Sequence, residues 1–79
     1  MSKIGVFCID NCPNCKKLCM MLDRANIEYG HFNLDQSTDD LAEAAFRGIM
    51  SEPFPVVFIN DRKLQASTPI EYFEEIKKA

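Results

Sequence analysis

Residues 7–15 read FCIDNCPNC. An apolar run gives way to a short polar turn, and two cysteines then bracket a proline and an asparagine. From Lys3 to Ile9 both alternating sets are mostly apolar, Ile4, Val6 and Cys8 against Phe7 and Ile9, as in a strand covered on both faces. Cys12 and Pro13 read as the cap and first turn of a helix running to about Ala25, because proline at a helix start forfeits no hydrogen bond. Cys15, Leu18, Cys19, Leu22 and Ala25 recur at spacings of three and four, forming one core-facing stripe, with Met20 and Met21 flanking it.

The rest of the chain continues this alternation. Asn26 can adopt the left-handed conformation that ends a helix, and IEYGHFNLD, with Ile27, Tyr29, Phe32 and Leu34, reads as a second strand. STDDLAEAAFRGIM carries Ser37 or Thr38 as a cap, acids in its first turn, and Leu41, Ala44, Ala45 and Ile49 as an apolar face. PVVFIN is a buried strand, Asn60 and Asp61 a turn, and RKLQ the returning strand. Ser67 or Thr68 with Pro69 opens a last helix, in which Ile70, Phe73 and Ile76 share a face. The order is β-α-β-α-β-β-α, an α/β arrangement.

With 79 residues the chain has room for one small domain, spanning residues 1–79. The net charge of -3 and the lack of a Lys/Arg stripe leave no electrostatic footprint for nucleic acid. The opening MSKIGVFCID is too short in apolar residues for a signal peptide or a membrane span, so the expected location is cytoplasmic with no membrane partner. Thiols there are held reduced, which favours catalysis or metal binding by clustered cysteines over a disulfide framework.

All four cysteines, Cys8, Cys12, Cys15 and Cys19, fall within twelve positions. A C-x-x-C at the first turn of a helix sets the first sulfur beside unpaired N–H groups and the positive end of the helix dipole. Cys12 is therefore the expected nucleophile, and Cys15, one turn inward, the thiol that resolves a mixed disulfide. Lys16 and Lys17 favour the Cys12 thiolate and Asp10 opposes it. Cys19 reads as core packing, Cys8 as packing or a regulatory disulfide partner, and His31 as a solvent-facing residue of an edge strand. The competing reading is a module in which these cysteines hold an iron–sulfur cluster or zinc. It lacks a second Cys/His pair unless Cys8 and Cys19 contribute.

FCIDNCPNC, NIEYGHFNLD and FPVVFIND, followed by a hairpin and a final helix, together resemble the glutaredoxin family over essentially the whole chain. The resemblance implies a thioredoxin fold, a four-stranded mixed sheet flanked by three helices, and thiol–disulfide exchange at Cys12 and Cys15 that requires no cofactor. It implies that Pro55 follows a cis peptide bond, at a cost of about 1 kcal/mol, so that Phe54 and Pro55 hold an extended substrate. Pro13, Asn14, Ser67 and Thr68 are the other substrate-side positions, with Arg47 as a candidate cation. Implied partners are a disulfide-bearing protein such as ribonucleotide reductase, and either glutathione or a thioredoxin reductase-type enzyme as reductant. Ile9 stands where glutathione-using members carry lysine, Asn14 where an aromatic residue is common, and LQASTP where Gly-Gly and an acid open the final helix.

Overall fold

Strand β1 (Ile4–Cys8) lies inside the sheet, with β2 (Gly30–Asn33) parallel on one side and β3 (Val56–Ile59) antiparallel on the other. The computed structural model describes residues 3–78; Met1, Ser2 and Ala79 of the expected 1–79 domain lie outside them. Strand β4 (Arg62–Lys63) closes the order β2-β1-β3-β4, pairing antiparallel with β3. The helices are α1 (Pro13–Arg24), α2 (Thr38–Arg47) and α3 (Pro69–Lys78). This is the thioredoxin fold with its mixed sheet and three helices, as the sequence led us to expect.

Alternation along the two central strands divides the core into two layers. Val6, Cys8, Val57 and Ile59 face α1 and α3, packing with Cys15, Leu18, Leu22, Tyr72 and Ile76. Phe7, Val56 and Phe58 face the other way, toward Leu34, Ala44 and Ile49. Phe7 stacks on Phe32 with ring centroids 4.4 Å apart and meets the edge of Phe58 at 5.7 Å.

Local signals set the helix boundaries. Cys12 caps α1 with Pro13 in its first turn. At the other end Asn26 (φ 57°) sends its N–H to the Asp23 carbonyl while that of Ile27 reaches Leu22, the paired bonds of a Schellman stop. Helix α2 begins at Ser37, whose Oγ accepts from the Asp40 N–H at 3.3 Å. It ends the same way at Gly48 (φ 73°), with Gly48 bonding to Ala45 and Ile49 to Ala44. Asn60 and Asp61 both have positive φ, which suits the tight β3–β4 turn.

Several side chains depart from the expected faces. Ala25 is exposed at the end of α1, and Met20 is exposed on its outer side while Met21 packs against the core. On α2 only Ala44 is buried, with Ile49 just beyond; Leu41 and Ala45 face solvent because this short helix touches the sheet along a narrow line. On α3 the buried stripe is Pro69, Tyr72 and Ile76, with Phe73 partly covered and Ile70 exposed. Two overlapping apolar stripes exist there, and packing against α1 selects the one carrying Tyr72. Strand β2 is shorter than IEYGHFNLD, since pairing with β1 begins at Gly30. No helix among the described residues is long and apolar enough to cross a membrane.

Candidate active site

The N-terminus of α1 and the segment entering β3 meet because β1 and β3 are antiparallel neighbours, with Phe7 opposite Val56. The chain leaving β1 and the chain arriving at β3 are thus at the same edge. Cys12 sits there, partly exposed, at the cap of α1. Its sulfur accepts a hydrogen bond from the Cys15 N–H at 3.4 Å and donates to the Phe54 carbonyl at 3.6 Å. The Phe54–Pro55 peptide bond is cis.

Cys15 points inward from the next turn and is 3% exposed. Of this pair, Cys12 therefore offers its sulfur to an incoming molecule. Burial, and then the hydrogen bond to Cys15, push the Cys12 thiol up from its ordinary value, against the lowering effect of the Cys15 and Asn14 N–H groups. The N–H groups of the helix start do favour the thiolate, as the sequence led us to expect, but desolvation outweighs them, and the sum that the sequence left unsigned falls on the raised side. Cys15 is instead held down at about 6, chiefly by a hydrogen bond from Cys8. Hydrogen bonds from Cys8, and then Cys12, outweigh the burial that would raise Cys15.

Other sequence-derived positions divide between two places. Pro13 and Asn14 are exposed beside Cys12 at the start of α1. Phe54, Pro55 and Ser67 line a cavity of about 170 Å3, together with Glu52, Leu64 and Tyr72. Thr68 stands next to that lining. The Ser67 and Thr68 hydroxyls both donate to Glu71 Oε1, at 3.0 and 3.1 Å, and the Glu71 N–H returns to Thr68 Oγ1 at 3.2 Å. These two residues thus serve as the cap of α3, with Glu71 fixed at its first turn.

Arg47 does not join the site. Its guanidinium lies over the Phe58 ring at 4.6 Å and the Phe7 ring at 5.5 Å, and it pairs with Glu43 at 2.7 Å. It covers the aromatic layer on the opposite side of the sheet. The Asp10 carboxylate is engaged by β2 and the segment after it, accepting from Asn33 Nδ2 at 3.2 Å and Gln36 Nε2 at 2.7 Å. Two features near the site escaped the sequence reading. One is the Lys63–Glu52 ion pair at 2.8 Å bordering the cavity. The other is the proximity of His31 to Cys8 and Cys19; the only sequence trace of it is period-two spacing from Tyr29 and Asn33 on an edge strand.

The family model for glutaredoxin matches residues 3–64. The chain belongs to the glutaredoxin family. Among solved structures, this glutaredoxin is similar to the thioredoxin-like protein BC3987, in a single-residue variant, with a TM-score of 0.76 and 23% identity over 99% of this chain and 97% of that one. A glutaredoxin from Archaeoglobus fulgidus gives a TM-score of 0.70 at 18% identity, covering 98% and 88% of the two chains. The buckwheat glutaredoxin–glutathione complex gives 0.67 at 20% identity, covering 96% and 69%. These likenesses establish the fold. No curated protein matches the sequence.

Proposed function

We propose that this glutaredoxin is a cytoplasmic dithiol electron carrier of one domain that reduces protein disulfides through Cys12 and Cys15, with no cofactor. The observation that carries this reading is the placement of Cys12. It is the partly exposed sulfur at a helix cap, bonded to the Cys15 N–H and the Phe54 carbonyl.

In the exchange, Cys12 first gives up its proton to solvent; its thiolate then forms a bond to one sulfur of the substrate disulfide and expels the other, which takes up a proton. Cys15 then attacks Cys12 Sγ as a thiolate, releasing the second substrate thiol and leaving a Cys12–Cys15 disulfide. Two electrons pass to the substrate, and both protons end on its sulfurs. Phe54 and Pro55 border the approach, Pro13 and Asn14 form its rim on α1, and Ser67 and Thr68 shape the end nearest α3. An extended segment bearing the disulfide suits such a backbone-lined edge, as in strand addition. A substrate of the ribonucleotide reductase type meets that requirement.

For regeneration we favour a thioredoxin reductase-type enzyme over glutathione. The buckwheat relative binds glutathione, as its complex states. Here, though, the start of α3, where a ligand carboxylate would profit from the helix dipole, already carries the Glu71 carboxylate bound to both capping hydroxyls. Ile9 also supplies no cation before the dithiol. The test follows reduction of the Cys12–Cys15 disulfide by mass, with glutathione plus glutathione reductase in one arm and NADPH plus thioredoxin reductase in the other. Fast reduction only in the second arm supports this choice; fast reduction by glutathione overturns it while leaving dithiol exchange intact.

A further inference from the structure

We propose that Cys8, Cys19 and His31 form a zinc site on the α1 side of the sheet, separate from Cys12 and Cys15. The proposal goes beyond dithiol exchange and does not depend on it.

Strand register brings the three together. In the parallel β1–β2 pair Val6 lies opposite His31, and paired residues of neighbouring strands point to the same face. Val6 and Cys8 face α1, so His31 does too. Strand β2 is the sheet edge, and His31 there remains exposed. Cys19 descends from α1 one turn beyond Cys15, onto the same spot. One sulfur from each cysteine and one ring nitrogen of His31 lie within 4.8 Å of one another.

The donors suit the ion. Two thiolates and a neutral imidazole are soft and borderline ligands that zinc prefers, and two thiolates balance its charge. With Zn–S near 2.3 Å and Zn–N near 2.1 Å, tetrahedral ligands stand about 3.5–3.8 Å apart. Closing the cluster to that span takes about 1 Å of movement, which the side-chain rotations of Cys19 and His31 can supply. The surroundings also resemble an outer shell. The Tyr29 ring meets His31 edge-on at 6.4 Å between centroids, and its hydroxyl donates to Asp23 Oδ1 at 3.0 Å. A surface opening bordered by Cys8, Cys15, Lys16, Cys19, His31 and Asn33 gives the ion a route in and leaves a fourth position for water.

The experiment titrates the fully reduced protein with Zn2+ against a chromophoric chelator, and with Co2+ while recording the visible spectrum. We expect one ion per chain and the intense bands of tetrahedral cobalt with thiolate ligands. His31→Ala, at an exposed position that leaves the core intact, should weaken zinc binding by more than the roughly 10–100-fold that outer-shell changes cost. Cys19→Ser should do likewise, and Cys12→Ser should leave binding unchanged. Absence of stoichiometric binding overturns the site. So does binding that survives His31→Ala but is lost in Cys12→Ser, which would place the ion on the exchange pair.

Discussion

Cys12 Sγ and the carbonyl oxygen of Phe54, 42 positions apart in the chain, lie 3.6 Å from each other. Antiparallel pairing of β1 with β3 creates that contact, and it runs through backbone on the Phe54 side. The Phe54 ring is a packing element between the two core layers. Phe54→Leu should therefore retain disulfide exchange, losing less than about tenfold in rate, or about 1.4 kcal/mol of barrier. Stopped-flow rates with a disulfide peptide check this, and a much larger loss would assign the ring itself to the substrate.

The aromatic layer under α2 should be the sensitive part of the core. Phe7 is 1% exposed, stacks on Phe32 and lies beneath Arg47. Phe7→Leu should cost about 1–3 kcal/mol in urea unfolding, since it loses ring stacking and fit together. Phe46, 88% exposed one residue before Arg47, is the control. Phe46→Ser should stay within about 0.5 kcal/mol of the parent.

Backbone conformation alone is at stake at Gly48. A methyl group there meets no heavy atom within 4 Å, yet φ is 73°. Gly48→Ala should therefore destabilise by about 1–2 kcal/mol, the penalty of the left-handed region, with exchange activity unchanged. Unfolding curves and a turnover assay read the two effects separately.

Much of this architecture was legible because local and long-range signals agree. Cys12-Pro13 starts a helix, Asn26 ends it, and Val6, Phe7 and Cys8 announce a strand buried on both sides. The C-x-x-C at that junction is what marks the proposed exchange pair. Less accessible was anything that depends on register or on a choice between equivalent stripes. Ile70 and Tyr72 both lie on apolar stripes of α3, and only the position of α1 decides between them. His31 stands 12 residues from Cys19 and 23 from Cys8 in the sequence; the β1–β2 register is what brings it to them. Arg47 reads as a free cation until Phe7 and Phe58 are seen beneath it. Cys12 reads as a helix-stabilised thiolate until its burial is weighed against the N–H groups.

Acid should weaken the cap of α3. Hydrogen bonds from Ser67, and then Thr68, hold the Glu71 carboxyl below its ordinary value. A carboxylate depressed in the folded state contributes stability that is fully present above its unfolded value, about 4.3, and lost as pH falls through the folded one. Glu71→Gln should therefore lower Tm at neutral pH, and the gap from the parent should narrow as pH drops below about 4. A gap that is constant across that range would remove the ionised cap from the account.

The central claim is that Cys12 attacks and Cys15 resolves. Its most direct test incubates Cys15→Ser and Cys12→Ser separately with a peptide carrying one disulfide and reads the intact mass of each product. The account predicts a stable one-to-one mixed disulfide on Cys12 in Cys15→Ser and no adduct in Cys12→Ser. An adduct in Cys12→Ser, with none in Cys15→Ser, would contradict it.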